Sequence, residues 1–396
     1  MTQKKYLNLY IANHKHIDGI EDYIDLIEKI TMDRGKLFKV SLELDPNAVN
    51  LIIDEFTDYA KNYRIAAFRK ANPDNQIIIL LTEFACRKWG VESFNHHGNV
   101  FDAATIAISD VLFRILRDDF GHVGVGAWLK LFIFFPLLIL HMVPYTVKFI
   151  VGRLIGKQVG TPLASYIHRQ QRVIYMHLRY LGLKTFLPYF NAVVASHENI
   201  FESFENTVGI NGKPLQYFGV LYPEFRETNV IDKLMIGKKL QMEITGSITR
   251  YRQKWINRMN RYILHLRISD FSLCVALPFS LINSNLTLDR GAFSLHPPQS
   301  RTWSHSSPMR IYRALSVDHN LPVLTRHFHQ NPIEDVCFLF NGGRSLAEMC
   351  EMYYDPIRLN NFIRPRVQAY NEIAVSRNNV LTGKLYGDLA MQKLQN

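Results

Sequence analysis

Hydrophobic positions along this chain fall into short apolar runs separated by stretches of helical spacing. Residues 6–12 (YLNLYIA) form an apolar run of strand length, and 18–30 follow with Ile20, Tyr23, Ile24, Ile27 and Ile30 on one helical face. The unit recurs. Residues 38–44 alternate as a strand does, 50–56 and 76–84 read as buried strands, and 59–71 as a basic amphipathic helix. After a long stretch that reads as helical, about 103–186, a strand at 191–196, a helix at 197–207 and a strand at 215–221 complete the series. Polar residues then cluster over 224–238, and a second alternation begins. It predicts strands at 240–245, 271–276, 292–295 and 322–325, helices at 251–264 and 307–315, and a final helical stretch at 357–375. Two successive α/β units of this kind call for parallel sheets with helices on both faces.

One segment departs from the pattern. Between Lys130 and Lys148 lie seventeen uncharged residues, LFIFFPLLILHMVPYTV, with Pro136 and Pro144 among them. A straight spanning helix needs about 20 apolar residues, and each proline removes a backbone donor. The segment therefore reads as a kinked or shallow insertion into one leaflet. Trp128 and Tyr145 would sit at headgroup depth, and Lys130, Lys148, Arg153 and Lys157 would meet anionic lipid. The competing reading is a buried pair of core helices broken at the prolines.

Charge sharpens this picture. The chain has 396 residues, and 46 Lys and Arg outnumber 35 Asp and Glu, for a net charge of +11. That balance favours a phosphate-rich partner: an anionic membrane surface, a nucleotide or a nucleic acid. The Tyr and Phe residues sit in apolar runs rather than among Lys and Arg, which argues against nucleic acid. The four cysteines show neither C-x-x-C spacing nor a histidine cluster, and the pairs His14/His16, His96/His97 and His327/His329 lack an acid in metal-binding spacing. No metal is expected, and a reducing, cytoplasmic setting fits.

In open α/β sheets, ligands sit just beyond the carboxyl ends of the strands. In the first unit those positions hold Asn13, His14 and His16, then Asp54, Glu55 and Thr57, then Thr82 and Glu83. In the second they hold Gly246, Ser247, Thr249, Arg250 and Arg252, then residues 296–303, then the run Ser306, Ser307, Pro308, Met309, Arg310. Ser307 is placed to cap a helix that Pro308 begins, and free amides there attract phosphate. Arg310 and Arg313, one turn apart, would add bidentate charge to a diphosphate; a capped helix with solvated arginines is the alternative.

Here the residues resemble a family. SSPMRIYRAL followed by NLPVLT is similar to the serine-serine-proline, helix, leucine-proline-valine pattern in the nucleotide-sugar half of GT-B glycosyltransferases. NPDNQIIILLTEF, NAVVASHENIFESF, LQYFGVLYPEF and MEITGSITRYR resemble the successive strand-loop elements of that fold. Among its members the chain resembles membrane-associated exopolysaccharide enzymes of the xanthan-type glucuronosyltransferase kind. It departs from the pattern in carrying Arg313 where a ribose-holding glutamate often stands, and residues 13–16 (NHKH) in place of a glycine-rich first loop.

The resemblance implies an α/β fold of two Rossmann-like domains facing a cleft. Residues 1–222 would form the acceptor side, with the apolar helical insertion at about 103–186, and 223–356 the nucleotide-sugar side. Residues 357–396 would be helices crossing back to the first domain. It implies a metal-independent hexosyltransferase without cofactor, at the cytoplasmic face of a membrane, moving sugar from a nucleotide-sugar to a lipid-linked or polysaccharide acceptor. Gly246, Ser247, Thr249, Arg250, Arg252, Ser306, Ser307, Arg310 and Arg313 would hold the donor. Glu83 would be the base, with Glu55, Asp54 and His16 as substitutes. A catalytically silent binding or scaffold protein at the membrane is the other reading these residues allow.

Overall fold

The computed structural model describes residues 6–11, 21–53, 59–82, 125–157, 160–162, 165, 179–207, 215–226, 232–244, 250–266, 271–275, 291–297, 307–326 and 331–387. By contacts the chain forms two compact units, 1–51 with 194–199 and 218–396, and 52–193 with 200–217.

A six-stranded sheet is built from β1 (Leu7–Tyr10), β2 (Phe38–Ser41), β3 (Val49–Ile53), β4 (Ile77–Leu81), β5 (Ala192–Ala195) and β6 (Gln216–Val220), in the order β2-β1-β3-β4-β5-β6. A five-stranded sheet is built from β7 (Lys239–Ile244), β8 (Ser272–Val275), β9 (Gly291–His296), β10 (Leu321–Leu324) and β11 (Phe338–Leu339), in the order β11-β10-β9-β7-β8. The pairs β1–β2, β7–β8, β7–β9, β9–β10 and β10–β11 are parallel. Strands β3, β4 and β5 are buried at every residue, as central strands of a parallel sheet are; the one polar side chain among them, Asn50, accepts from Asn8 at 2.8 Å. Edge strand β2, whose Val40 is exposed, shows no such burial.

The helices are α1 (Glu21–Met32), α2 (Tyr59–Ala71), α3 (Val125–Leu154), α4 (Glu198–Thr207), α5 (Arg250–Leu266), α6 (Pro308–Ser316), α7 (Gly343–Tyr354) and α8 (Pro356–Tyr386). The apolar segment is one continuous 30-residue helix, α3, with both prolines inside it. It is not a buried pair broken at the prolines: Phe132 and Leu154 are each 80% exposed, and Ile133, Ile139 and Leu140 are exposed as well. Among the described residues no helix is long and apolar enough to cross a membrane.

Two local features fix the second sheet and the C-terminal helix. A Cβ at Gly291 would lie 2.4 Å from the Gln241 carbonyl oxygen, so only glycine lets β9 enter the sheet this close to β7. The Gly291 N–H also donates to the buried Glu243 carboxylate on β7. On α8, Asn371 and Asn378 are seven residues apart and therefore on one face. Asn378 accepts from the Tyr222 N–H at 3.1 Å and donates to the Tyr222 carbonyl at 2.7 Å. Asn371 does the same to Phe225, at 2.9 and 2.8 Å. Two amide side chains thus replace a neighbouring strand for this extended segment, and the buried peptide groups stay paired. Farther along α8, Asn379 accepts from Arg34 at 2.8 Å and the Tyr386 hydroxyl donates to the Leu37 carbonyl at 2.8 Å.

Candidate functional site

In the second sheet, β8 lies to one side of β7 and β9 to the other, so the order in which the chain adds its parallel strands reverses between β7 and β9. A crevice forms outside the carboxyl ends of two strands at such a switch point, and it is where α/β sheets hold ligands. The residues there follow from the strand ends. His296 is the last residue of β9, Arg252 lies in the first turn of α5 after β7, and Thr325 follows β10, whose Leu324 is in register with His296. Helix α6 starts at the same edge, with Ser307 at its N-cap and Pro308 in its first turn.

These side chains place positive charge around an uncharged ring. Arg252 is 1% exposed, and its Nε donates to the Pro297 carbonyl at 3.4 Å. Burial, then the positive charges of Arg310 and Arg252, push the His296 pKa down to about 3. The ring is therefore neutral at physiological pH. Its buried Nε2 has no hydrogen-bond partner among the described residues, and neither does the buried Thr325 Oγ1. Buried polar atoms of this kind are normally paired, and these two lie at the ends of neighbouring strands. Ser307 makes no side-chain capping bond; its carbonyl accepts from the Arg310 and Ile311 amides at 3.1 and 3.3 Å. Two guanidinium groups and the positive end of a helix dipole thus lie near one end of the sheet.

Arg313 is differently engaged. Its Nη1 lies 3.4 Å from Asp22 on α1 and its Nε 3.7 Å from Asp318. Burial holds the Asp22 carboxyl above its usual range, and the Arg313 charge offsets this only in part. One turn of α6 thus separates Arg310, beside His296, from Arg313, which ties α6 to α1. The neighbouring Tyr312 ring lies 5.8 Å from Phe225 and has Lys29 Nζ 5.8 Å from its centroid. Asp22, Lys29 and Thr325 escaped the sequence reading. Thr325 was within reach of the strand-end rule, whereas Asp22 and Lys29 look like ordinary amphipathic-helix positions.

Gly246, Ser247, Thr249, Ser306, His16, Asp54, Glu55 and Glu83 lie outside the described residues, as do the three histidine pairs. Arg250 opens α5. In the first sheet the order of strands reverses between β1 and β3, which His16 and Glu55 follow in sequence. At the end of β5 sits His197, fully buried, its Nδ1 accepting from the Asn199 amide at 3.0 Å. Burial lowers its pKa to about 4. Among the described residues no group of three or more His, Cys, Asp or Glu is placed to hold a metal ion.

The two buried histidines give a prediction about acid stability. Both pKa values are depressed in the fold relative to about 6.5 in the unfolded chain. The unfolded chain therefore binds more protons below that value, and the stability these groups confer is intact above pH 6.5 and lost as pH falls toward 4. In that window the slope should approach about 1.4 kcal/mol per pH unit for each histidine. Urea unfolding from pH 7.5 to 4.5 measures it, and His197→Gln should remove about half of the slope while leaving the pH 7.5 limb flat.

No family model matches the chain, and no curated protein sequence does. Among solved structures it is similar to a UDP-forming α,α-trehalose-phosphate synthase from Burkholderia vietnamiensis, at 9% identity and a TM-score of 0.38, over 95% of this chain and 77% of that one. It is similar also to HepE (Alr3699) from Anabaena, whose structure holds UDP and glucose, at 9% identity and a TM-score of 0.36 over all of both chains. Likenesses this faint bear no functional argument, which rests on the residues themselves.

Proposed function

We propose that this protein is a glycosyltransferase that takes a sugar from a nucleotide-sugar and passes it to a lipid-linked or polysaccharide acceptor at a membrane surface. The observation that carries the reading is the switch-point edge of the second sheet, where neutral His296, with its open Nε2, sits beside Arg252, Arg310 and the N-terminus of α6. The arrangement suits a diphosphate. In such a transfer the acceptor oxygen attacks the anomeric carbon, the bond from that carbon to the diphosphate breaks, and the acceptor proton passes to a base. The largest charge change is on the departing nucleoside diphosphate, and preorganised cations at that point lower the barrier most. His296, protonated on one ring nitrogen and open on the other, would orient a phosphate or sugar hydroxyl without adding a third cation.

The finer reading is that of a GT-B enzyme, with residues 1–222 on the acceptor side, 223–356 on the donor side and 357–396 returning to the first. Glu83 would serve as base, or else Glu55 or His16, and no metal would be required. Support comes from the two α/β sheets and from Arg252 and Arg310 near the switch-point edge, whose charge would serve where a divalent ion otherwise does. The test is titration of the purified protein with a panel of nucleoside diphosphates and nucleotide sugars, followed by an assay for released nucleoside diphosphate. Binding with release supports a transferase, and binding without release in the presence of acceptors supports a silent binder. Failure to bind any nucleoside diphosphate at millimolar concentration overturns both.

A further inference from the structure

The exposed apolar side chains of α3 recur three, four or seven residues apart, from Leu129 through Phe132, Ile139, Val143 and Ile150 to Leu154. At about 100° per residue they form one stripe, roughly 38 Å long, with no polar residue in it. Pro136 and Pro144 are exposed on the same stripe. The other face turns to protein: Gly152 is buried, and Met142, Tyr145 and Phe149 are half-buried. From 125 to 157 the chain has no acidic residue. Helical geometry puts Lys148 on one flank of the stripe and Arg153 on the other, and Lys157 follows the helix end, all three exposed.

We infer that α3 is a monolayer anchor lying in the plane of an anionic lipid leaflet, with the stripe facing the acyl chains and its flanking cations at headgroup phosphates. The inference rests on the membrane part of the function proposed above and is independent of sugar transfer.

Three observations select this occupant and this pose. An apolar stripe flanked by cations and free of acids has the charge complement of an anionic surface. The prolines supply no N–H to the Phe132 and Leu140 carbonyls, which lie on the stripe itself four residues earlier. A spanning pose would hold those two carbonyls in hydrocarbon without a partner, whereas at the headgroup boundary water reaches them. From Met142 to Gly152, finally, the far side of the helix is partly covered, so that lipid reaches one face of this half.

The test is flotation of the full chain with vesicles of phosphatidylcholine alone and of phosphatidylcholine with phosphatidylglycerol. Wild type should float with the anionic vesicles and bind the neutral ones more weakly. Lys148→Glu, Arg153→Glu and Lys157→Glu together should cut partitioning to anionic vesicles by at least a hundredfold, since each surface cation contributes roughly a fivefold factor. Phe132→Glu with Ile139→Glu should abolish binding to both vesicle types without unfolding, because both side chains are exposed. An encoded fluorescent residue at position 132, 143 or 154 should be quenched equally by lipids brominated at one shallow depth. Graded quenching from 132 to 154 means a span and overturns the pose. Failure to float, or a soluble dimer that shields the stripe from quencher, overturns the lipid assignment. A chain that transfers sugar to a soluble acceptor without floating sinks this inference alone; one that floats without binding nucleotide sinks only the sugar chemistry.

Discussion

Arg310→Ala should lower turnover of a nucleotide-sugar by roughly a hundredfold or more, as loss of one preorganised charge at a developing anion does elsewhere. The residue sits in the first turn of α6, close enough to His296 for its charge to depress that ring's pKa. It is also partly exposed, so its removal leaves no cavity in the core and the fold should hold. Three readouts separate a binding role from a structural one. Affinity for the nucleoside diphosphate should fall with turnover, thermal unfolding should stay near wild type, and the His296 resonance should titrate at higher pH once one of its two cationic neighbours is gone. Arg310→Lys should be intermediate, because an ammonium keeps the charge and loses the bidentate fork. Near-normal turnover in Arg310→Ala removes the residue from the mechanism.

The largest stability effect should come from Glu224→Ala. Its Oε1 lies 2.7 Å from Arg34 Nη2 and accepts from Asn378 at 2.7 Å, and its main-chain carbonyl accepts from Lys29 at 2.9 Å. The side chains of Arg34 and Glu224 are only 14% and 11% exposed, so truncating the glutamate leaves the Arg34 charge without its carboxylate, with Asn379 and the Ile30 carbonyl as neutral acceptors. The expected loss is about 3–5 kcal/mol. Glu224→Gln should cost less, since it keeps an acceptor for both donors. Arg34→Met combined with Glu224→Met should recover much of the loss, because no buried charge is left unmatched. Urea unfolding of the four proteins completes the cycle; a loss below about 1 kcal/mol in Glu224→Ala would mean that Arg34 finds other partners.

Much of the fold was legible because its signals are local. Helix 59–71 was read to the residue, and β7, β9 and β10 to within one residue at either end or nearly so. β11, two residues long, and α7 went unread, and α8 runs through Pro365 to Tyr386 rather than stopping near 375. A strand that short carries no period. In α8 apolar residues are spread around a helix that meets several neighbours, so no single face stands out. Only the competing reading of α3 as a broken helix pair fails at the prolines: a proline costs one hydrogen bond and a local bend, which long flanking helices absorb.

The candidate site divides along the same line. Strand ends are visible in sequence, and they placed Arg252, Arg310 and the stretch from His296 in one neighbourhood. Arg313 looked equivalent to Arg310 from spacing alone, yet its guanidinium lies by Asp22 and Asp318, the first of which is 291 residues away in the chain.

What the sequence determined by itself was the alternation of strand and helix, the excess of positive charge and an apolar segment that could not be ordinary core, because each is written in neighbouring residues and their periods. Only the tertiary structure decided which arginine meets a carboxylate, that His296 is uncharged with its Nε2 shut from solvent, and that α3 presents its stripe outward. Those depend on groups brought together from distant parts of the chain, where desolvation and charge act through space.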